Sequence, residues 1–260
     1  MAFSFFKTDQ KPFLIAHRGA SGYAPENTLA AFKLALDMGA RFIELDVHQT
    51  KDGQVVVIHD DNLKRFGGVN KKINNLTLEE ISKVSVKEPF DRGYPRERVP
   101  TLDQVLTLVA RRAVVNVEIK ASSEAYPAIE EKVLSLLERK GYNGMSYISS
   151  FDFKCLVQVR ALCAEMYLGY LLGLTSLKTA MKQMRDIRCD ALVVSAAQAS
   201  RSLIQRAHQR GFHVLVYTVN ARATWDGLAA RRVDAIFTDY PDLLGMPEYE
   251  EPTLGLTNGE

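Results

Sequence analysis

The stretch RFIELDV, residues 41–47, carries two acids whose spacing could do chemistry. Successive side chains of an extended strand alternate faces, so Glu44 and Asp46 share one side while Ile43, Leu45 and Val47 share the other. Neighbouring carboxylates on one buried face are costly unless a cation neutralises them. The run VVNVEIK, residues 114–120, repeats the pattern and sets Asn116, Glu118 and Lys120 on one face. Three acids from two strands, Glu44, Asp46 and Glu118, make an all-oxygen donor set. Such a set suits a hard divalent cation, Mg²⁺ or Ca²⁺, better than zinc, which favours thiolates or a close histidine pair.

Two histidines keep company with these acids. His17 ends the apolar run that starts at Phe13 and is followed by Arg18, and His59 follows the apolar run from Val55 to Ile58. Imidazole titrates at about 6.5, so either protonation state is accessible near neutrality. A cation flanked by two histidines, with Arg18 and Lys120 nearby, points to an anionic substrate, and phosphate fits best. One histidine would take a proton from the nucleophile while the other gives one to the leaving oxygen, which is the chemistry of phosphodiester cleavage. His48, His208 and His213 lack such company and are expected to be structural. Asn27, Asp60 and Asn220 are expected to support neighbours or cap elements rather than react.

The elements that must position these groups follow a regular rhythm. Apolar runs near Phe13–His17, Arg41–Val47, Val114–Ile119, Met145–Ser149, Met166–Tyr170, Ala191–Val194, Val214–Thr218 and Ala235–Phe237 predict eight strands. Helical periodicity separates them, with helices expected over Glu124–Lys140, Asp152–Cys163, Ser176–Met184, Arg201–Arg210 and Ala221–Ala230. An earlier helix capped by Asn27 or Thr28 stops at Gly39. Eight such units predict an α/β TIM barrel, with its site at the C-terminal ends of the strands. An open doubly wound sheet is the competing fold, and no Gly-x-Gly-x-x-Gly turn speaks for it. Lys51-Asp52-Gly53 is too short for a crossover, so Val55–Ile58 is a hairpin extension of the second strand. Polar, turn-rich residues 62–100 form a small insertion with a capping box at Thr77/Glu80, and a second box at Thr101/Gln104 starts the helix that follows it.

The chain has 260 residues, 47% of them hydrophobic and 25% charged, with a net charge of +2. That suits a single catalytic domain over residues 1–246 followed by a loose tail, 247–260. No basic cluster interleaved with aromatics suggests nucleic acid, and no long apolar run suggests stable membrane insertion. The N-terminus has too short an apolar run for a signal peptide, so the expected location is cytoplasmic. Cys155, Cys163 and Cys189 are expected to be buried thiols, since no Cys-x-x-Cys is present.

Taken together, His17-Arg18-Gly19, Pro25-Glu26-Asn27-Thr28, Glu44-Leu45-Asp46-Val47, Thr50-x-Asp52-Gly53, Val57-x-His59-Asp60, Asn116-x-Glu118-x-Lys120 and Ser150-Phe151 resemble the glycerophosphodiester phosphodiesterase family. The resemblance runs from about Phe13 to Pro241. It implies a TIM barrel with an insertion after the second strand, and cation-dependent hydrolysis of glycerophosphodiesters to sn-glycerol 3-phosphate and an alcohol. By position it puts metal ligands on Glu44, Asp46 and Glu118, catalytic histidines on His17 and His59, and phosphate contacts on Arg18 and Lys120. Where the family commonly has Trp-Thr-Val-Asn, this chain has Tyr217-Thr218-Val219-Asn220, so Tyr217 is the expected substrate-facing aromatic. Two other readings are a lysophospholipase D, which would need an apolar mouth or an anchor such as Phe3, Phe5 and Phe6, and a barrel that binds phosphorylated ligands without turnover. A small-molecule substrate is the expected partner, and a homodimer stays open.

Overall fold

A computed structural model of the chain describes residues 12–67, 69–86 and 96–243. In chain order, β1 (Phe13–Ala16), α1 (Leu29–Asp37), β2 (Phe42–Gln49) and β3 (Val55–Val57) lead into the insertion. The insertion holds β4 (Asn62–Leu63), α2 (Lys64–Gly67), β5 (Val69–Lys72), α3 (Leu78–Ser82), β6 (Ser85–Val86) and β7 (Glu97–Arg98). Next come α4 (Leu102–Val109), β8 (Val114–Ile119), α5 (Ile129–Arg139), β9 (Ser146–Ser150), α6 (Phe153–Leu162) and β10 (Tyr167–Leu171). The chain continues through α7 (Leu177–Asp186), β11 (Ala191–Ser195), α8 (Arg201–His208), β12 (His213–Tyr217), α9 (Arg222–Ala229) and β13 (Ala235–Thr238).

Eight of these strands pair in parallel, in the order β1-β2-β8-β9-β10-β11-β12-β13, and the sheet closes because β1 pairs with β13 as well as β2. This is the expected TIM barrel. β3 pairs antiparallel with β2, as the short Lys51-Asp52-Gly53 turn requires. Gly53 takes φ +79°, a conformation that side-chain-bearing residues rarely adopt.

Alternation along the strands sorts the core into two layers. Ile43, Leu45, Val47, Val115, Val117 and Ile119 face outward and pack with Phe32, Val105 and Val133 of the surrounding helices. Each such side chain, fully buried, contributes about 1.5–3 kcal/mol. The inward positions change character along the strands: Phe13 and Ile15 lead to His17, and Val114 leads to Asn116 and Glu118. The lower barrel is therefore filled with apolar groups and its upper end with polar ones.

β3 is divided in the same way. Val55 and Val57 join the barrel's outer core, while Val56 and Ile58 join a separate apolar cluster with Leu63, Phe66, Ile73, Ile81 and Val99 of the insertion. That cluster holds the insertion over the site's end of β2.

The helix starts follow their caps. Thr28, Thr77, Thr101, Asp152, Ser176 and Ser200 each accept a backbone N–H of the first turn, and both expected capping boxes form. One start differs: α5 begins at Ile129 rather than Glu124. Pro127 biases the residue before it away from helix, and Ala128 sits at φ +57°, so residues 122–128 form a loop that turns Tyr126 inward. Cys155 and Cys189 are buried as expected, but Cys163, at the end of α6, is partly exposed because the helix stops there. Residues 1–11, with Phe3, Phe5 and Phe6, lie outside the described residues. So do the turn residues Pro89 and Gly93-Tyr94-Pro95, and the tail 247–260. Among the described residues no helix is long and apolar enough to cross a membrane.

Tyr142 is fully buried; its hydroxyl donates to the Leu106 carbonyl and accepts from the Arg111 N–H, tying the end of α4 to the start of β9. Tyr142→Phe should therefore cost about 1–3 kcal/mol in urea denaturation, chiefly by leaving the Arg111 N–H without its acceptor, since the Leu106 carbonyl still accepts from the Ala110 N–H.

Candidate active site

Every candidate lies at the C-terminal end of the barrel. Glu44 and Asp46 project from β2 and Glu118 from β8, while His17 and Lys120 directly follow β1 and β8. His59 follows β3, and Tyr217 ends β12. A cavity of about 140 Å³ is lined by His17, Arg18, Glu44, His59, Glu118, Lys120 and Tyr217, with Asn116, Ser149 and Phe151 among its further walls. Asp46 stands behind this lining, 1% exposed, in contact with Arg18, Lys120 and Asn27.

Strand register brings the acids together. β2 and β8 pair with Glu44 opposite Asn116 and Asp46 opposite Glu118, so the inward faces of both strands meet. One oxygen from each of Glu44, Asp46 and Glu118 lies within 4.8 Å of the others. Lys120 Nζ donates to Glu118 Oε1 at 2.7 Å and to Asp46 Oδ1 at 3.1 Å. Asn27, held at φ +57°, donates to Asp46 Oδ2 at 2.8 Å. Burial would raise Asp46, yet Lys120, Arg18, His59 and the Asn27 hydrogen bond hold it well below the usual carboxylate range. Burial and the charge of Asp46 instead push Glu118 up to about 7 and hold Glu44 well above the usual carboxylate range, with Glu118 adding to the latter. Three convergent, buried carboxylates, two of them reluctant to ionise together, fit a hard divalent cation in both donor type and charge.

The turn after β1 aims Arg18. Arg18 and Gly19 take φ +56° and +84°, and a Cβ on Gly19 would fall 2.7 Å from the Ala31 backbone. The turn points the Arg18 N–H at Glu44 Oε2, 2.9 Å away. The side chain of Arg18 reaches Glu26 through Nη1, at 3.1 and 3.2 Å. Its Nε lies 3.2 Å from Asp46 Oδ2, an ion pair that is off the line of a hydrogen bond.

Each cavity histidine has its own carboxylate. His17 Nδ1 donates to Asp239 Oδ1 at 2.7 Å, and Asp239 also accepts from Ser21 Oγ and Asn220 Nδ2. Despite burial, those bonds keep Asp239 below the usual range. His59 Nδ1 donates to Asp60 Oδ1 at 2.9 Å. Burial, with Arg18 and Lys120 nearby, lowers the pKa of His59 and so favours its neutral form. In both pairs the carboxylate engages Nδ1, which leaves Nε2 to face a substrate. The remaining histidines are structural in geometry: His48 Nε2 donates to the His59 carbonyl at 3.0 Å while Nδ1 accepts from Tyr126 at 2.5 Å, and His208 and His213 both contact Asp234. Tyr217 meets Phe151 edge to face at 6.3 Å, forming an aromatic wall.

Sequence reasoning missed Arg65, which reaches both Asp60 and Glu26, and gave Glu26 and Asp239 no task of their own. Asp239 directly follows the last barrel strand, and that position was a usable signal. Arg65 lies in the insertion and gave none.

Residues 17–243 match the model of the "Glycerophosphoryl diester phosphodiesterase family". A glycerophosphodiester phosphodiesterase of Caldanaerobacter subterraneus is 34% identical over 90% of this chain and 96% of its own length. One from Bacillus subtilis is 32% identical over 88% of this chain and 84% of its own. Among solved structures, an Oleispira antarctica phosphodiesterase in complex with the product sn-glycerol-3-phosphate is similar at a TM-score of 0.80. It shares 28% identity and covers 88% of this chain and 94% of its own. Barrel, site and family match agree, and the chain belongs to the glycerophosphoryl diester phosphodiesterase family, as a phosphoric diester hydrolase.

Proposed function

We propose that the enzyme hydrolyses glycerophosphodiesters to sn-glycerol 3-phosphate and an alcohol, using a divalent cation, Mg²⁺ or Ca²⁺, held by Glu44, Asp46 and Glu118. The observation that carries this reading is the meeting of that acid cluster with His17 and His59 in one cavity. A cation bound there would draw charge from the non-bridging phosphate oxygens and favour attack at phosphorus. Lys120 and Arg18 orient the phosphate from the same side. His17 and His59, each with Nδ1 held by an aspartate, supply a base for the nucleophile and an acid for the leaving oxygen through Nε2. Tyr217 and Phe151 wall off the side where the organic groups lie. The product bound by the Oleispira relative supports glycerol 3-phosphate as the shared half of the substrates. The barrel and its insertion work as one catalytic unit over residues 1–246.

Glycerophosphocholine should yield sn-glycerol 3-phosphate and choline in an enzyme-coupled assay, and free phosphate or phosphocholine as the products would overturn the proposal. A transient cyclic glycerophosphate would identify the glycerol hydroxyl as nucleophile, and incorporation of ¹⁸O from water without it would identify water. Lys120→Ala should lower kcat/KM by about 10²-fold, since it removes a cation from where phosphate charge develops.

A second reading, hydrolysis of lysophospholipids, has one feature in its favour. Phe151 is 44% exposed at the cavity's edge, and the loop carrying Gly173 and the fully exposed Leu174 passes beside it. A higher kcat/KM for lysophosphatidylcholine than for glycerophosphocholine would establish that preference.

A further inference from the structure

We infer that Arg65, supplied by the insertion, is a positioning residue that holds both the His59–Asp60 pair and the Arg18–Glu26 pair through one guanidinium. The inference rests on the roles proposed above for His59 and Arg18. Arg65 Nε donates to Asp60 Oδ2 at 2.9 Å, and Nη2 donates to Asp60 Oδ1 at 3.2 Å and to Glu26 Oε1 at 2.6 Å. Asp60 Oδ1 is the atom that accepts from His59 Nδ1, and Glu26 is the residue that accepts from Arg18 Nη1. The chain of contacts thus runs His59–Asp60–Arg65–Glu26–Arg18 without a gap, and Arg18 then borders Asp46.

Chemistry explains why an arginine stands at the middle. Glu26 and Asp60 are two carboxylates sharing one cation, and only a planar fork can meet one of them with two N–H groups and still reach the other. A lysine at this place would be a point charge without that geometry. Both carboxylates lie below their usual range in spite of burial, Glu26 through Arg65 and Arg18, and Asp60 through Arg65 and His59. An anionic Asp60 fixed on two sides cannot swing away from His59, so the imidazole keeps its Nδ1 proton and its orientation. The guanidinium is itself steadied from the insertion: it packs over the ring of Phe66, 4.5 Å from its centroid, and Phe66 is buried in the insertion's own apolar cluster. Nothing in the sequence pattern marks Arg65, because Glu26 lies 39 positions away. The insertion therefore contributes to catalysis without touching substrate.

Steady-state kinetics on glycerophosphocholine with saturating Mg²⁺ test this. Arg65→Ala should lower kcat by about 10²-fold, the scale expected when a catalytic group is displaced by about 1 Å. KM should rise as well, through the loosened Glu26–Arg18 arm. In an Asp60→Ala background, where the side chain linking Arg65 to His59 is gone, Arg65→Ala should change kcat by less than about 3-fold, because residues acting through one another are not additive. Arg65→Lys should fall between wild type and Arg65→Ala in kcat. Multiplicative losses in the double variant, or an Arg65→Ala kcat within about twofold of wild type, would overturn the inference, since a residue that merely pins the insertion shows additivity. Should Arg65→Ala fail to fold, a wild-type kcat for the folded Arg65→Lys variant overturns it equally. His59→Ala separates the two levels: full activity there sinks the site reading itself, whereas its loss beside a normal Arg65→Ala sinks only the role of Arg65.

Discussion

Chelation with EDTA should abolish release of glycerol 3-phosphate, and Mg²⁺ or Ca²⁺ should restore it. The expectation follows from three carboxylates packed with ligand atoms within 4.8 Å of one another, with Lys120 and Arg18 compensating only part of their charge. The same crowding makes cation binding depend on pH. Glu118 is pushed up to about 7 by burial and by Asp46, and Glu44 is raised well above its ordinary value. In the metal-free protein at neutral pH the cluster therefore holds protons that a cation must displace. Isothermal titration of Mg²⁺ in two buffers of different ionisation enthalpy should reveal proton release, and affinity should weaken as pH falls below about 7. The sign for stability is the reverse. A carboxyl whose folded pKa exceeds its unfolded value binds a proton more tightly in the fold, so its contribution is complete below the unfolded pKa and is lost as pH rises through the folded one. The metal-free protein should thus lose Tm between pH 4.5 and about 7 on account of Glu118, and saturating cation should remove most of that loss. Full activity in EDTA after dialysis would defeat the metal-centred account, and a metal-free Tm that climbs over that interval would defeat the electrostatic one.

His17→Ala and His59→Ala should each reduce kcat by about 10³-fold or more, within the range that general acid–base groups supply and with little change in KM. The two should not respond alike to the leaving group. A diester with a p-nitrophenolate leaving group needs little proton donation, so the variant missing the acid should recover much of its rate on that substrate, while the variant missing the base should not. The aspartates provide a graded control: Asp239→Asn and Asp60→Asn keep each imidazole in place but weaken the hold on Nδ1, and losses of about 10–10²-fold are expected. Equal recovery of both histidine variants on the activated diester would remove the division of labour between them.

The parts of this site that show in the sequence are those built by local rules. Alternation along β2 and β8 was enough to place Glu44, Asp46 and Glu118 on one face, because strand geometry converts spacing of two into shared direction. His17 and His59 stood out because apolar runs ended on them. The barrel itself followed from counting strand and helix runs. What did not show was whatever depends on pairing distant in the chain. The partner of His17 is 222 positions away, and Arg65 joins two loops that meet only because the insertion folds back over β3. The late start of α5 was missed for a different reason: apolar spacing alone says nothing about Pro127, whose ring prevents the preceding residue from joining the helix. That miss hid Tyr126 and with it the support of His48 beneath His59.

Barrel closure carries a consequence for biosynthesis. β1 pairs with β13, residue 13 beside residue 235, so the first strand to leave the ribosome stays half-paired until the last has emerged. The acids, Lys120 and His59 all come from the first half of the chain, whereas His17 gains Asp239 only when the final strand docks. A nascent or prematurely terminated chain ending before Asp239 lacks that hydrogen bond as well as part of the pairing of β1, and ribosome-stalled intermediates of that length should therefore be far less active than the closed barrel.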